Sequence, residues 1–194
     1  LLKYDNRLVR LRPRNMRAAK KFSKKIVVLG DPAVGKTSLI RRFVIDAFDD
    51  KYLTTIGAKI VKKQVALRSG GAKPDVDVTL MIWDIAGQKT LGNVKQAYYR
   101  GAEGAMIICD MTRRETLYSM VDWIKTLKQV TGELPLVLLA NKCDLMDQAL
   151  FGEKEMQEVS NQLKSPFLIT SAKDGRNVND AFQNISSLLV DATG

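Results

Sequence analysis

The sequence predicts an α/β fold, a three-layer sandwich in which helices cover both faces of a six-stranded, mostly parallel sheet. Short apolar segments typical of buried strands alternate along the chain with segments of helical periodicity. The segment at 69–75, SGGAKPD, is rich in turn formers and predicts a hairpin, so one edge strand is expected to run antiparallel. The length of 194 residues suits one domain with a sizeable core.

The alternation places the elements in chain order. Strands are predicted at 25–30, 59–68, 76–83, 104–110, 135–140 and 166–170. About five helices are predicted, at 36–46, 90–100, 115–130, 153–163 and 177–191. The hairpin would join the second and third strands. The domain would span residues 24–194, after a basic extension at 1–23.

The segment at 30–37, GDPAVGKT, follows an apolar run and leads into a predicted helix. Strand, glycine-bounded loop and helix is the context in which G-x-x-x-x-G-K-[ST] forms a phosphate-binding P-loop. Gly30 and Gly35 allow the tight turn whose backbone N–H groups face an anion, and the helix N-terminus adds its positive dipole. Lys36 would reach the β- and γ-phosphates of a nucleotide, and the Thr37 hydroxyl would hold Mg²⁺.

Two later apolar runs end in polar segments, NKCD at 141–144 and SAK at 171–173. Open parallel sheets bind ligands at the carboxyl ends of their strands. There the Asp144 carboxylate can accept from N1–H and the exocyclic amine of guanine, a donor pair that adenine does not offer. Asn141 can bond the other edge of the base, and the aliphatic stems of the two segments' lysines can cover its faces. The base is therefore expected to be guanine.

Five motifs in this order resemble the Ras superfamily of small GTPases, which have a P-loop NTPase fold. They are GDPAVGKT at 30–37, TIG at 55–57, WDIAGQ at 83–88, NKCD at 141–144 and SAK at 171–173. The resemblance covers about residues 24–192. Within the superfamily the chain is most similar to the Rab branch, because it also carries YYRGA at 98–102.

The resemblance implies roles for single residues. Phe48 falls where the family places an aromatic ring against guanine. Thr55 falls where a threonine ligates Mg²⁺ and senses the γ-phosphate, and Asp84 would meet the metal through a water. The Gly87 N–H would bond the γ-phosphate, and Gln88 would orient the attacking water. These roles fit phosphoryl transfer, in which positioning and charge stabilisation carry the catalysis.

The resulting prediction is a guanine-nucleotide switch and GTP hydrolase. Its predicted catalytic residues are Lys36, Thr55 and Gln88, and its predicted Mg²⁺ ligands are Thr37, Thr55 and, through water, Asp84. The predicted nucleotide-binding residues are Gly30, Asp31, Pro32, Ala33, Val34, Gly35, Lys36, Thr37, Ser38, Phe48, Tyr52, Thr55, Asp84, Gly87, Asn141, Lys142, Asp144, Leu145, Ser171, Ala172 and Lys173.

The resemblance also implies which proteins bind the chain and where in the cell it acts. Switch I (about 48–57) and switch II (about 85–101) would be read by effectors, exchange factors and GTPase-activating proteins in trafficking or signalling. A monomer in the cytoplasm is expected.

Several residues depart from the family pattern and keep alternatives open. Pro32 and Ala33 stand in the P-loop where glycine or serine is common, and Pro32 donates no backbone N–H. Lys89 and the run at 58–60, AKI, alter the surface that Rab partners contact. A nucleotide-bound interaction module with little hydrolysis is therefore the alternative function. An ATPase or small-molecule kinase is disfavoured by Asp144.

The formal net charge is +10, and residues 1–25 hold ten of the basic residues and one acid. Three interpretations of this arm are open: a solvated extension, peripheral contact with an anionic membrane, or binding to an acidic protein or nucleic acid, of which nucleic acid is least favoured.

The end of the chain at 187–194 contains no cysteine, so no prenylation signal is present in it. Cys109 and Cys143 suggest neither a disulfide framework nor a metal site, and the chain has no histidine.

Overall fold

A computed structural model describes residues 19–49, 55–68, 75–87 and 92–193. The strands are β1 (Lys20–Leu29), β2 (Ala58–Leu67), β3 (Val76–Ile85), β4 (Gly104–Asp110), β5 (Leu136–Asn141) and β6 (Phe167–Ile169). The α-helices are α1 (Lys36–Ile45), α2 (Gly92–Tyr99), α3 (Arg114–Thr131), α4 (Glu153–Leu163) and α5 (Val178–Asp191).

The strands form one sheet in the order β2-β3-β1-β4-β5-β6. β2 pairs antiparallel with β3 at the edge, and the other four pairs of neighbours are parallel. The predicted fold class, with its single antiparallel edge strand, is therefore confirmed. Most of the segment at 69–75, which predicted the hairpin, lies outside the described residues.

The first strand begins at Lys20, five residues before its predicted start at 25. Residues 20–24 pair in register with 76–80 of β3, so part of the basic stretch belongs to the sheet. Phe22 packs against the core, between the exposed Lys21 and the exposed Ser23. The strand was not predicted here because the stretch is rich in lysine. A strand alternates its side chains between two faces, so charged residues on one face do not prevent the segment from pairing.

Apolar side chains cover both faces of the sheet, as three layers require. On one face, α1 and α5 pack through Leu39, Phe182 and Ile185, and the rings of Phe43 and Phe182 stack with centroids 3.9 Å apart. On the other face, α3 contributes Met120 and Leu127 and α4 contributes Met156. Each such side chain contributes about 1.5–3 kcal/mol of hydrophobic free energy when it is fully buried.

A short 3-10 helix, Cys143–Gln148, follows β5 and was not predicted. It begins after Lys142, whose backbone has a left-handed φ of 71°. The two cysteines are buried and free. Within the described ranges, no helix has the length and apolar character needed to cross a bilayer.

Candidate functional site

Five parallel strands bring their carboxyl ends to one edge of the sheet, and the predicted site residues follow them. The phosphate loop at 30–35 leaves β1, and Asp84 lies at the end of β3. Asp110 ends β4 and lies beside Asn141, which ends β5. The segment at 171–173 follows β6. The topology therefore gathers five segments that are distant in the chain.

The phosphate loop needs its two glycines. Gly30 has a φ of 142° and Gly35 one of 100°, both outside the region that other residues favour. A Cβ on Gly30 would lie 2.2 Å from the carbonyl oxygen of Ile108, and one on Gly35 would lie 2.2 Å from Nδ2 of Asn141. Ala33 also has a positive φ, 62°, which a residue with a side chain adopts at a cost.

Lys36 arches back over this loop. Its side chain is buried, with only 6% of its surface exposed. The ammonium donates hydrogen bonds to the backbone carbonyls of Gly30 at 2.8 Å and Asp31 at 2.9 Å. A single positive charge is thus held across a loop whose backbone N–H groups are the expected anion donors.

Three oxygen-bearing side chains from separate segments meet beside the loop. The Thr37 hydroxyl lies 2.5 Å from Oδ2 of Asp84 and 2.9 Å from the Thr55 hydroxyl. Asp84 is 1% exposed, and its Oδ1 has no hydrogen-bond partner among the described residues. Burial raises the pKa of Asp84 above its ordinary value, while the Thr37 hydrogen bond and the charges of Lys36 and Lys59 oppose that rise.

This donor set fits Mg²⁺. The ion takes hard oxygen ligands, keeps several waters, and is commonly held by one or two protein groups together with substrate phosphates. That chemistry is offered by the hydroxyls of Thr37 and Thr55 and by the buried Oδ1 of Asp84, which no described residue contacts by a hydrogen bond.

Asn141 joins the phosphate loop to the segment at 171–173. Its Nδ2 donates to the carbonyl of Val34 at 2.9 Å. Its Oδ1 accepts from the backbone N–H of Ala172 at 3.2 Å and from the Thr170 hydroxyl at 3.3 Å. The side chain is 1% exposed. In this arrangement its amide connects two loops, and its contact with a base stays a prediction.

Asp144 is held by Ser171, whose hydroxyl donates a 2.6 Å hydrogen bond to Oδ1. Ser171 Oγ in turn accepts the backbone N–H groups of Lys173 and Asp174. The two segments predicted to bind guanine are therefore connected. Asp144 remains partly exposed and Lys173 exposed, as residues that meet a ligand would be.

Arg42 supports the same segment from α1. Its Nε donates to the carbonyl of Ala172 at 2.9 Å, and Nη2 donates to that of Lys173. Nη1 pairs with Asp46 at 3.2 Å. Neither Arg42 nor Asp110, which forms an ion pair with Lys142, was among the predicted site residues. Asp110 could have been found, because it is a charged residue at the carboxyl end of an otherwise apolar strand.

The remaining predicted residues vary in position. Phe48 is half-buried against the core face that α1 and α5 cover, so its contact with guanine stays a prediction. A Cβ on Gly87 would lie 2.6 Å from the backbone of Asp31 and Pro32, which places Gly87 directly against the phosphate loop. Tyr52 and Gln88 lie outside the described residues.

Comparisons with known proteins find similar sequences over most of the chain. The Ras family model matches residues 25–191. The chain is 37% identical to Ras-related protein Rab-22A of Canis lupus familiaris over 163 residues, which cover 84% of this chain and 81% of that protein. It is 36% identical to human Rab-31 over 84% of this chain and 80% of that protein. It is 32% identical to Rab-3C of Bos taurus over 86% and 71%.

Proposed function

This chain is a divergent, Rab-like member of the Ras family, and from that premise we propose that it binds GTP and GDP with Mg²⁺ and hydrolyses GTP slowly. Membership makes it a small GTPase, a molecular switch of the class that acts in trafficking. The proposal adds which residues carry the activity. The cluster of Thr37, Thr55 and Asp84 carries it. This cluster unites the phosphate loop, switch I and the end of β3 around a buried oxygen that has no partner in the described part of the chain.

Phosphate binding is assigned to the loop at 30–37. Its backbone N–H groups and the Lys36 ammonium would hold the β- and γ-phosphates. Mg²⁺, held by Thr37 and Thr55 and through water by Asp84, would neutralise charge on the same oxygens. Gly87 lies against the loop, where its N–H can report whether a γ-phosphate is present. Gln88 would hold the attacking water in line with the phosphorus.

Base recognition is assigned to Asp144, with Asn141, Lys142 and Lys173 around the ring. The carboxylate is already oriented by Ser171 at 2.6 Å. A fixed carboxylate loses less conformational entropy on accepting two guanine donors than a mobile one does.

Partner binding is assigned to the surface that adjoins Thr55. Ile56 is 92% exposed and Ile60 is 56% exposed. Trp83 lies beside Tyr98, with ring centroids 6.2 Å apart. Exposed apolar groups near a segment that senses the γ-phosphate can present a different surface in each nucleotide state.

Effectors, exchange factors and activating proteins are the proposed partners of a monomeric chain. Peripheral membrane contact is assigned to the basic arm, most of which lies outside the described residues.

One observation favours the alternative of a non-cycling, nucleotide-bound interaction module. Gly87 packs directly against the backbone of Asp31 and Pro32. The proline ring therefore lies next to the segment that delivers Gln88, and a displacement of about 1 Å in a catalytic group can cost on the order of a hundredfold in rate.

Single-turnover hydrolysis tests the proposal. The full chain is loaded with GTP and Mg²⁺, excess nucleotide is removed, and phosphate release is followed for wild type, Gln88→Ala and the exposed α4 variant Gln157→Ala. Slow release by wild type and Gln157→Ala is expected, with a drop of at least about tenfold in Gln88→Ala, since water positioning carries much of this catalysis. Equal, negligible release by all three would favour the interaction module. Failure of wild type to load either GTP or GDP would contradict both functions.

A further inference from the structure

The Asp110 carboxylate is completely buried. It lies between the phosphate loop and the segment at 141–144, which we call the base-recognition loop. Its Oδ1 accepts the backbone N–H of Thr112 at 2.9 Å and the Thr112 hydroxyl at 2.7 Å. Its Oδ2 accepts Nζ of Lys142 at 2.6 Å and Nε of Arg113 at 3.1 Å. A buried carboxylate without such partners would destabilise the fold. The carboxylate therefore fixes the positions of the two cations that pair with it.

The electrostatics agree with this arrangement. Burial alone would raise the pKa of the Asp110 carboxyl, yet hydrogen bonds from Lys142 and Thr112 keep it below its ordinary value. The group is therefore a carboxylate at neutral pH, and both of its cationic partners form charge-assisted hydrogen bonds, which are the stronger kind.

Arg113 extends the contact to the phosphate loop. While Nε binds Asp110, Nη2 donates a 2.7 Å hydrogen bond to the backbone carbonyl of Pro32. Pro32 and Ala33 are exposed at this part of the loop, and Ala33 has a left-handed backbone. A planar guanidinium with two of its donors in use fixes the separation of its two acceptors better than a flexible ammonium can.

Lys142 extends the contact to the other loop. Its backbone is left-handed, with φ 71°, and its ammonium is held by Asp110. Its ammonium is thereby held in place two residues before Asp144, the residue assigned to guanine. A single buried side chain thus sets the position of one residue at each end of the proposed nucleotide site.

We propose that Asp110 and Arg113 form a clamp that joins the phosphate loop to the base-recognition loop and slows nucleotide release. Both are positioning residues, since neither needs to touch the nucleotide. The inference rests on the nucleotide site proposed above. Arg113 acts on the phosphate end alone, whereas Asp110 acts on both ends because Lys142 also depends on it.

Neighbouring arginines provide a matched test. Arg114 has the same side chain but pairs with Glu155 on the surface between α3 and α4, at 3.0 Å. GDP release from the full chain is followed for wild type, Arg113→Ala and Arg114→Ala. Release should be at least about threefold faster in Arg113→Ala, which removes the charged donor to the Pro32 carbonyl, and unchanged in Arg114→Ala. Equal release rates in all three chains would overturn the clamp.

Affinities for GDP and GMP separate positioning from a general loss of stability. Both are measured by competition against a fluorescent GDP analogue. Arg113→Ala should weaken GDP more than GMP, because GMP lacks the β-phosphate that the loop holds. Asp110→Asn should weaken both ligands, because Lys142 is released as well. Equal weakening of GDP and GMP in Arg113→Ala would overturn the positioning role.

The test also separates this inference from the proposed function. Absence of GDP binding by the wild-type chain would contradict the nucleotide site itself. GDP binding by wild type together with an unaltered Arg113→Ala variant would overturn only the clamp. Thermal unfolding is measured in parallel, and the midpoint of Arg113→Ala should lie below that of Arg114→Ala, because the buried Asp110 carboxylate loses one of its two cationic partners.

Discussion

The indole nitrogen of Trp123 donates a 2.8 Å hydrogen bond to the buried carboxylate of Asp31, which lies 92 positions earlier in the chain. Asp31 is the second residue of the phosphate loop, and Trp123 lies in the middle of α3. Both residues are buried, with 8% of Asp31 and 5% of Trp123 exposed. Helix α3 therefore supports the phosphate loop through a side-chain hydrogen bond.

Trp123→Phe should destabilise the fold by about 1–3 kcal/mol, since it leaves a buried acceptor without this donor. Urea unfolding of the chain, with and without GDP, measures the loss. In the Asp31→Ala background the same substitution should cost less, because the acceptor is already absent. Equal costs in both backgrounds would contradict a coupling between these two residues.

Arg42→Ala should weaken GDP binding, because the carbonyls of Ala172 and Lys173 lose their donor and the segment around the base is less well held. A loss of about 1–3 kcal/mol is expected for hydrogen bonds from a charged group. The control is Arg41→Ala, one position earlier on α1, whose exposed pair with Asp49 is worth at most about 1 kcal/mol. GDP titrations that show the same affinity for both variants would argue against this role of Arg42.

Sequence motifs and tertiary contacts differ in what they reveal. The glycines of the phosphate loop, Lys36 and Asp144 are recognisable because their roles require a fixed residue type at a fixed spacing. Arg42 and Trp123 were not recognisable as site residues, because their partners lie on other elements, 130 and 92 positions away. The fold was predictable for a related reason: strand and helix periodicities are local, whereas the packing of one loop on another is not.

Gly87→Ala should disrupt the packing of Gly87 on the phosphate loop. A Cβ there would lie 2.6 Å from backbone atoms of Asp31 and Pro32, which cannot move aside as a flexible side chain can. GTP hydrolysis in single turnover should fall at least about tenfold, because Gln88 is displaced with its neighbour. GDP affinity should change little. Gly152→Ala is the control, since a Cβ at that glycine meets nothing nearer than 4.0 Å. Unchanged hydrolysis by Gly87→Ala would refute this packing.

Asp144→Asn should reduce the preference for guanine. The amide retains an acceptor for Ser171 but loses the charge that guanine's paired donors would meet. Comparison of GTP with ITP, which lacks the exocyclic amine, isolates the effect. Wild type should prefer GTP by on the order of tenfold or more, as one charge-assisted contact allows, and the variant should prefer it much less. The same preference in both chains would count against Asp144 as the base-recognition residue.

Tyr99 introduces a pH dependence at alkaline pH. Its side chain is fully buried, its hydroxyl has no hydrogen-bond partner among the described residues, and burial raises its pKa to about 12. The unfolded chain ionises Tyr99 near pH 10. The folded state thus binds the Tyr99 proton more tightly than the unfolded state does. The free energy of unfolding is therefore unaffected by this group below about pH 10 and falls between pH 10 and pH 12.

Tyr99→Phe removes both the unpartnered hydroxyl and its titration. At pH 7 the variant should be as stable as wild type or more stable by about 1 kcal/mol, since a buried polar group without a partner opposes folding. From pH 10 upward the variant should lose less stability than wild type. Denaturant unfolding at pH 7, 9 and 10.5 measures both effects, with Tyr98→Phe as the partly exposed control. A variant markedly less stable than wild type at pH 7 would show that the Tyr99 hydroxyl has a partner in the folded chain.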